Sequence, residues 1–379
     1  MNAAEKRRRK DSPALRRNEF IMDNGKIMAY KKILIINLAG IGDILLSIPA
    51  LRALRRKYPA AKIYLLTTEK VSEIVKDLPY PDRVFLFRIN YGGTIPFMAM
   101  IKNGIILMRL RKERFDLALN MRTLVSAAGA NKIKLLLRLI RPRITMGRDT
   151  DGRGDFFDIR VPETQPGMKY EMEYDLDAVR MLGAAADDTA VDFKIDDKCR
   201  DKIALLLRRQ GISGSSPIIG IHPGGMPSRR WPLSGFLNVI EAVSEKIPCV
   251  FVVTGGKDEV PLADTLKRNG RGKVISLAGR LSVGELGALM QRCRVFISND
   301  TGPMHIAAIL KTPLVALFGP GDITRFDPRN IFKSAVVFYE KKDCAPCEKV
   351  VCDDLRCMKA ISPQAVTQAV MRLILPAGQ

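Results

Sequence analysis

The sequence predicts an α/β protein of two Rossmann-like domains that face each other across a cleft. Short apolar strands alternate with helical patterns from Lys32 onward, as in a series of βαβ units with a parallel sheet. The alternation stops in a polar and then Gly/Ser-rich stretch, Asp187 to Ser216, and restarts at Ile218. A chain of 379 residues also exceeds the usual single-domain range, so two domains are expected.

These patterns set the expected domain boundaries. A basic flexible arm is expected at 1–29, an N-terminal domain at 30–195 and an interdomain region at 196–216. A C-terminal domain at 217–360 and a closing segment at 361–379 complete the chain.

The first domain opens on a predicted strand, Lys32 to Asn37, then a loop over Leu38 to Asp43 and a helix from Ile44 to about Lys57. Later apolar runs have the length of buried strands and are separated by helical patterns. They lie at Tyr64 to Thr67, Val84 to Phe87 and Leu117 to Asn120. One parallel sheet is therefore expected.

The loop after the first strand contains Gly40 and Gly42, a spacing that resembles the start of a dinucleotide fingerprint. Leu45 stands where that fingerprint has its third glycine, and the carboxylate of Asp43 would oppose a pyrophosphate at the helix start. The loop is therefore not expected to bind a nucleotide cofactor. Asp43 fits two roles equally well, an N-cap of the helix or a general base that faces a ligand of the second domain.

In the second domain, the predicted strand at Ile218 runs into a turn with two glycines and two arginines. Gly224 and Gly225 let a backbone approach a ligand closely, while Arg229 and Arg230 offer fork-shaped donors that match phosphate oxygens. A polar turn at this place favours an anionic ligand.

Two further strands of the second domain end in the same way. The run Val250 to Val253 leads to Asp258 and Glu259, where a ribose hydroxyl could be held, and the run Val295 to Ile297 leads to the segment 298–305. That segment carries Asp300, Thr301 and His305 at a helix start, which suits a diphosphate, although an ordinary N-cap also fits. Ligands of open α/β sheets bind at the carboxyl ends of strands, so the three turns predict one nucleotide-sized crevice.

The chain is strongly basic, with a formal net charge of +22. Residues 1–180 hold 35 of the 62 Lys and Arg and 20 of the 40 Asp and Glu, a net of +15. This half is therefore expected to face an acidic partner. With 6% aromatic residues and no recognisable nucleic-acid module, an anionic membrane surface and a phosphorylated lipid are favoured over nucleic acid.

The longest apolar runs are far too short to span a bilayer, and no signal-peptide pattern precedes them. We therefore expect a cytoplasmic protein that binds peripherally at the inner face of the cytoplasmic membrane.

Four motifs occur in order along the chain: the Gly-x-Gly-Asp-x5-Pro-Ala-Leu of 40–51, the Arg-Trp-Pro of 230–232, the Gly-Arg-Leu-Ser of 279–282 and the Asp-Thr-Gly-x-x-His of 300–305. Together they resemble glycosyltransferase family 9, the bacterial lipopolysaccharide heptosyltransferases. The resemblance runs from about Lys31 to Val370. It implies a GT-B architecture with an N-terminal acceptor domain, a C-terminal donor domain and a final helix, Pro363 to Leu375, that packs back on the first domain.

The resemblance also implies a reaction. Family members transfer L-glycero-D-manno-heptose from ADP-heptose to the inner core of lipopolysaccharide, with inversion and without a bound catalytic metal or other cofactor. Asp43 falls on the family's proposed base. Gly40, Gly42 and Ser47 border the acceptor, which implies a phosphorylated lipid A-core partner.

On the donor side, Arg229 falls on a family lysine that contacts phosphate and sugar. Gly224 and Gly225 fall on threonines that contact phosphate in one branch, so backbone N–H groups would replace them here. The remaining donor residues are implied as follows: Asp300, Thr301, Gly302 and His305 hold heptose and phosphate, Leu281 lies against adenine, and Asp258 or Glu259 binds ribose.

The sequence departs from well-known members beside the acceptor. It has Leu38-Ala39 before the Gly-x-Gly-Asp and Leu46-Ser47 after it, where those members carry hydroxyl residues and a His-Thr pair. A divergent acceptor, or a donor sugar other than heptose, is therefore an alternative. A catalytically silent nucleotide-sugar-binding protein and a nucleotide-dependent oxidoreductase are two further hypotheses, the second disfavoured by the incomplete glycine fingerprint.

Four of the seven cysteines lie close together, at Cys344, Cys347, Cys352 and Cys357. In a cytosolic protein this spacing resembles metal ligands more than a disulfide framework. The second pair is not Cys-x-x-Cys, and no histidine joins it. A structural zinc and a loop braced by reduced thiols are both open interpretations.

Overall fold

The computed structural model describes residues 22–23, 26–27, 29–89, 97–212, 216–347 and 349–375. The chain divides into two compact units, Met1–Val191 and Asp192–Gln379. Most of the basic arm expected at 1–29 lies outside the described residues. Within it, the structure describes an antiparallel backbone pairing of Met22–Asp23 with Lys26–Ile27.

The first unit contains a six-stranded parallel sheet in the order β3-β2-β1-β4-β5-β6. Its strands are β1 (Lys32–Asn37), β2 (Lys62–Thr68), β3 (Arg83–Phe87), β4 (Leu117–Asn120), β5 (Ile144–Thr150) and β6 (Ile159–Glu163). Its helices are α1 (Ile41–Lys57), α2 (Ser72–Val75), α3 (Phe97–Glu113), α4 (Ala127–Ile140) and α5 (Glu171–Met181). The strand order reverses between β1 and β4, which makes their carboxyl ends a topological switch point.

Apolar runs explain why the central strands form. Nearly every side chain of β1 and β4 is buried, as expected for parallel strands covered by helices on both faces. On one face, Leu34 and Ile36 of β1 share a core with Phe115 before β4 and Leu137 of α4. This packed core holds β1 and β4 in place, and with them the loops that follow their carboxyl ends.

The second unit repeats this architecture, with the order β9-β8-β7-β10-β11-β12 and parallel pairing throughout. Its strands are β7 (Ile218–His222), β8 (Val250–Val253), β9 (Lys273–Ser276), β10 (Val295–Asn299), β11 (Leu314–Phe318) and β12 (Val336–Tyr339). Its helices are α6 (Asp197–Arg209), α7 (Leu233–Ser244), α8 (Val260–Asn269), α9 (Val283–Met290), α10 (Gly302–Ile309), α11 (Ile323–Phe326), α12 (Arg356–Lys359) and α13 (Pro363–Ile374). The switch point lies between β7 and β10.

The core of the second unit includes its last helix. Val366, Val370 and Ile374 of α13 are buried in the same cluster as Trp231 and Phe236, whose rings meet edge to face at 4.9 Å. The apolar face of α13 is therefore used within this unit, and its expected return to the first unit stays a prediction.

The predicted α/β fold of two Rossmann-like domains is confirmed, and the strands predicted at Lys32–Asn37 and Leu117–Asn120 have those bounds. Two local expectations differ from the structure. Helix α1 begins at Ile41 rather than Ile44, and most of the expected interdomain region is α6, which packs on α9. In the described part of the chain, no helix is both long and apolar enough to cross a membrane.

Candidate active site

The site in the first unit is built at the junction of β1 and α1. Gly40 has an extended backbone and precedes the helix, and Asp43 is the third residue of its first turn. Asp43 Oδ2 accepts a hydrogen bond of 3.2 Å from the backbone N–H of Gly40. The residue is thus not the N-cap itself, but its carboxylate does satisfy one N–H group at the helix start.

The second oxygen of the same carboxylate meets a cation. Arg122, two residues beyond β4, places Nη1 3.2 Å from Asp43 Oδ1. Both side chains remain partly exposed, Asp43 by 23% and Arg122 by 32%. Asp43 is therefore oriented through both oxygens and is still open to a ligand at the switch point of the first sheet.

Two of the predicted acceptor residues are not on the surface of this unit. Gly42 is buried, and Ser47 is completely buried. The hydroxyl of Ser47 donates to the carbonyl of Ile44 and accepts a 3.0 Å hydrogen bond from the side-chain amide of Asn37. Because α1 turns this position toward β1, Ser47 braces the strand–helix junction, which differs from the acceptor contact expected.

A buried cluster of charges lies behind the segment that carries Arg122. Arg148 of β5 is fully buried, and its Nη1 lies 2.6 Å from Glu171 and 3.3 Å from Asp175, both on α5. Its Nη2 lies 3.1 Å from Glu163 at the end of β6. Nη1 also donates to the carbonyl of Met121 at 2.8 Å, so the cluster fixes the backbone next to Arg122.

Burial and the neighbouring charges of this cluster act together on the pKa of Asp175. Burial raises the pKa of Asp175 well above its ordinary value, and Glu171, Asp43 and Glu163 raise it further, although Arg148 opposes them. Asp175 therefore binds its proton more tightly than a solvent-exposed aspartate does.

In the second unit, Glu259 joins the turns that follow β7 and β8. Its Oε1 accepts a 2.7 Å hydrogen bond from the N–H of Gly225, and its Oε2 accepts one of 2.7 Å from the N–H of Gly256. Gly225 has φ +112°, which favours glycine, and a Cβ at Gly224 would displace the Glu259 carboxylate from its present position. The N–H of Gly225, expected to face a phosphate, faces Glu259 instead.

These contacts also set the charge of Glu259. Burial alone would raise its pKa, but the attraction of His222, the backbone N–H groups of Gly256 and Gly225 and the charge of Arg230 together outweigh burial and hold the pKa below its usual value. His222 lies beneath, with Nε2 3.8 Å from Glu259 Oε2. Burial lowers the pKa of His222 below its ordinary value, against the pull of Glu259.

Arg229 and Asp300, both predicted donor residues, are in contact. Arg229 Nη1 lies 2.7 Å from Asp300 Oδ2, and both side chains are largely buried. Asp300 follows β10, at the switch point of the second sheet, and Arg229 closes a short 3-10 turn after β7. The structure therefore brings together two of the three predicted turns through a charged pair.

Asn299, which sequence reasoning did not single out, holds the same two turns in register. Its side-chain amide donates to the carbonyls of Pro223 at 2.9 Å and Gly224 at 3.0 Å, and its Oδ1 accepts from the N–H of Trp231 at 3.2 Å. The sequence did hold a sign of this role, because Asn299 is an amide at the end of an apolar strand. Such a side chain is expected to be buried, and a buried amide is expected to be hydrogen-bonded to neighbouring groups.

The remaining predicted donor residues lie around α10 and the neighbouring loops. Thr301 precedes the helix and Gly302 begins it, both partly exposed, whereas His305 is buried with its ring 6.1 Å from that of Phe326. Leu281 is half-buried on the loop before α9. Asp258 is exposed, while Glu259 is the acid that reaches the glycine turns. The structure therefore places Asp258 and Glu259 in different surroundings, and their roles in ribose binding stay predictions.

The four clustered cysteines do not form a metal centre in the described residues. No group of three or more His, Cys, Asp and Glu side chains there is arranged to hold a metal ion. Cys344 is exposed and Cys357 is buried in the core of the second unit, which separates them by environment. The structure thus gives no support to the structural zinc.

Arg122 and Arg148 were also missed from the sequence. Arg122 lies two residues after an apolar strand and Arg148 lies within a strand of mixed polarity, in a chain where arginines are common. The position of Arg122 after the carboxyl end of a central strand could have indicated a functional residue, because ligands of open α/β sheets bind there. For Arg148, its partners at 163–175 could not be paired with it from spacing alone.

Comparison with known proteins identifies a family. Residues 106–357 match the model of glycosyltransferase family 9, described as heptosyltransferase. Lipopolysaccharide heptosyltransferase 3 of Escherichia coli K12 is 27% identical over 312 residues, covering 79% of this chain and 86% of that protein.

Solved structures show the same architecture. A glycosyltransferase of family 9 from Veillonella parvula has a TM-score of 0.71 with 22% identity, covering 92% of this chain and 99% of that one. The ADP-heptose lps heptosyltransferase II of E. coli has a TM-score of 0.66 with 18% identity, covering 90% and 98%. These likenesses concern the fold.

Proposed function

The chain belongs to glycosyltransferase family 9, and from this premise we propose that it transfers heptose from ADP-L-glycero-D-manno-heptose to the inner core of lipopolysaccharide, with inversion. It is a glycosyltransferase of the GT-B fold, and the curated relatives that it resembles include lipopolysaccharide and lipooligosaccharide heptosyltransferases. The donor, the acceptor and the residue roles given below are parts of the proposal.

The observation that carries the proposal is the setting of Asp43. A carboxylate fixed through both oxygens, by Gly40 and Arg122, yet exposed by 23%, lies where an open α/β sheet binds its ligands. A structural cap would need only the contact with Gly40. The second contact orients the group without removing it from the surface, as a general base requires.

In the proposed step, an acceptor hydroxyl oxygen attacks the anomeric carbon of the donor sugar from the face opposite ADP. The new carbon–oxygen bond forms as the bond to the β-phosphate breaks, and the electron pair leaves with ADP. The hydroxyl proton passes to Asp43. A base in this position contributes about 10²–10⁴-fold to the rate.

The second unit would hold the donor. Arg229 offers a guanidinium beside the start of α10, where the positive end of the helix dipole favours a diphosphate. Glu259 uses one lone pair of each oxygen for Gly225 and Gly256, which leaves lone pairs for ribose hydroxyls. Leu281 is half-buried and offers an apolar contact for adenine.

The acceptor is proposed to be a phosphorylated lipid A-core molecule at the inner face of the cytoplasmic membrane. The net charge of +15 in residues 1–180 supports an anionic acceptor and an anionic surface. We propose no cofactor and no catalytic metal, so chelation by EDTA should leave turnover unchanged.

Nucleotide release tests the proposal. Purified protein is given ADP-heptose, UDP-sugars or GDP-sugars, each with and without deacylated core oligosaccharide, and the released nucleotide is measured. We expect ADP release that needs both ADP-heptose and acceptor. The product is then examined by NMR, where an inverted anomeric configuration is expected and a retained one would refute the mechanism.

The matched variants are Asp43→Asn and Asp77→Asn. Asp77 is an acid of the same unit with a 75% exposed side chain, so its loss should leave turnover unchanged. Asp43→Asn should lower kcat by about 10²–10⁴-fold while ADP binding persists. Full activity of Asp43→Asn would discard the base, and tight ADP binding without release from any donor would favour a silent binding protein.

A further inference from the structure

Helix α3 of the first unit is apolar on two opposite sides. Ala99 and Leu110 are buried on the side that packs on the sheet. Phe97 and Ile101, on the opposite side, expose 76% and 57% of their surface. A helix that is apolar all round is ordinarily buried or in contact with lipid, and an exposed apolar stripe of this kind marks an interaction surface.

The exposed stripe has helical spacing. At 100° per residue, positions 97, 101, 105 and 108 fall within one quarter of the helix circumference. They carry Phe97, Ile101, Ile105 and Met108, all exposed, and Met98 adjoins them. The stripe therefore forms one continuous line along α3 rather than scattered apolar side chains.

Basic residues border this stripe, and acids are scarce. Helix α3 carries Lys102, Arg109, Arg111 and Lys112 against a single acid, Glu113, which pairs with Lys32 at 2.8 Å. Apolar side chains flanked by Lys and Arg are typical of helices that lie in the interface of an anionic bilayer.

The neighbouring helix extends the surface. Helix α4 packs beside α3 and exposes Leu135 and Leu139, and it carries three basic residues and no acid. Arg111 of α3 donates to the carbonyl of Leu139 at 3.4 Å, which joins the two helix ends. The two helices thus present one basic and apolar surface, which we term the α3–α4 face.

A cavity of about 740 Å³ lies at the edge of this face, between β3 and α3. Its lining includes Arg83, Arg109 and Lys112 around the apolar side chains of Phe85 and Ile106, together with one acid, Glu113, which lies 3.6 Å from Arg83. The cations of this lining outnumber its one acid by three to one, and a net positive site with an apolar floor suits a phosphate headgroup with the start of its acyl chains.

We propose that the α3–α4 face is a membrane-docking surface, in which the stripe of α3 enters the interface of an anionic bilayer and the bordering Lys and Arg bind lipid phosphates. This deepens the proposed function, whose acceptor is a lipid, by naming the part of the first unit that docks. Docking itself needs neither donor nor acceptor, so it is tested separately from transfer.

Flotation of the full chain with vesicles tests docking. Vesicles of phosphatidylcholine with phosphatidylglycerol are compared with phosphatidylcholine alone, at low and high salt. We expect binding to the anionic vesicles only, weakened by salt. The double variant Ile101→Ser, Met108→Ser and the double variant Lys102→Gln, Arg109→Gln should each bind about tenfold more weakly.

Matched controls lie outside the face. Met168 is an 80% exposed methionine of the same unit, and Lys267 and Arg268 are adjacent exposed cations of α8. Met168→Ser and the double variant Lys267→Gln, Arg268→Gln should bind as the wild type does. Equal losses in face and control variants, or binding insensitive to the face variants, would overturn the proposal.

Insertion is measured with one added tryptophan. The chain has a single tryptophan, Trp231, which is buried and gives a constant background. Met108→Trp should shift its emission to the blue and be quenched by brominated lipid, whereas Met168→Trp should do neither. If the emission of Met108→Trp does not change, the α3–α4 face does not enter the bilayer. If light scattering shows a dimer that the Ile101 and Met108 substitutions break, the face binds a second copy of the chain and not a membrane.

Two further readouts separate the hypotheses. Asp43→Asn should bind vesicles as the wild type does, because Asp43 is not part of the face. The face variants should keep turnover on deacylated, soluble acceptor. Absent turnover with intact vesicle binding refutes only the transfer proposal, and intact turnover without vesicle binding refutes only docking.

Discussion

Arg122 holds its guanidinium nitrogen Nη1 3.2 Å from Oδ1 of Asp43, while Gly40 holds the other carboxylate oxygen. The arginine comes from the end of β4 and the aspartate from the start of α1, so two different elements at the switch point fix one carboxylate. We infer that Arg122 is a positioning residue, which acts on the acceptor only through Asp43.

Substitution of Arg122 should therefore affect turnover more than stability. Arg122→Ala should lower kcat by about 10–100-fold, because a misplaced base loses alignment with the acceptor hydroxyl. The KM for the donor should change little, and Arg122→Lys should restore part of the rate. Initial rates and thermal unfolding of the two variants check this.

The control for this experiment is Arg160→Ala, since Arg160 of β6 is nearly half exposed and pairs only loosely with Asp149, at 3.7 Å. It should have wild-type kcat. If Arg122→Ala and Arg160→Ala have the same kcat, then Arg122 does not position the base.

Replacement of Arg148 should destabilise the first unit. Arg148→Met leaves Glu163 and Glu171 buried without their guanidinium, and breaking a buried pair of this kind costs about 3–5 kcal/mol of the free energy of unfolding. Urea unfolding at pH 7 measures the loss. The exposed counterpart Arg160→Met should lower the free energy of unfolding by less than about 1 kcal/mol. If both variants lower the free energy of unfolding equally, the buried ion pairs of Arg148 do not stabilise the first unit.

Acid should weaken the second unit through Glu259. Its pKa is held below the usual value in the folded state, so its contribution to stability is complete above the unfolded pKa of about 4.3 and is lost as pH falls through the folded pKa. Glu259→Gln should lack this contribution at neutral pH, and its free energy of unfolding should fall less steeply below about pH 4.3. The measurement is urea unfolding across that range.

The control for Glu259 is Glu245→Gln, since Glu245 is an exposed acid directly after α7. It should reproduce the wild-type dependence on pH. A wild-type curve for Glu259→Gln would mean that the two N–H contacts of Glu259 do not stabilise the glycine turns.

The cysteines should differ widely in reactivity. Burial raises the pKa of Cys293 to about 12 and that of Cys249 to about 11, and the thiolate is the reactive form. Alkylation of the folded protein by iodoacetamide at mildly alkaline pH, followed by mass spectrometry, should label the exposed Cys344 first and leave Cys293 unlabelled. Denatured protein is the control, and equal labelling of both thiols in the folded chain would contradict the buried setting of Cys293.

Most strands and helices could be predicted from local patterns in the sequence. The strand at Lys32–Asn37 could be predicted because an apolar run of strand length ends at glycines. The start of α1 could not, because Gly40 and Gly42 read as loop while the helix begins between them. Helix initiation there depends on tertiary packing, which overrides the low helix propensity of glycine.

The candidate site was predictable only where its residues follow one another in the chain. The turns at 224–230 and 300–305 could be located, but the contact of Arg229 with Asp300 joins distant segments. The same holds for Arg122 with Asp43 and for the burial of Ser47. Such pairs depend on strand order, which the sequence alone leaves open.

Each of the two sheets has its own core and its own switch point, and the buried Arg148 and the pair of Arg229 with Asp300 lie in different units. Unfolding of this chain is therefore expected to occur in two steps rather than one, with a separate midpoint for each half. A substitution should shift the unfolding midpoint only of the unit that contains it. The transition of the other unit should stay at its wild-type midpoint, so it serves as an internal reference within every denaturation curve.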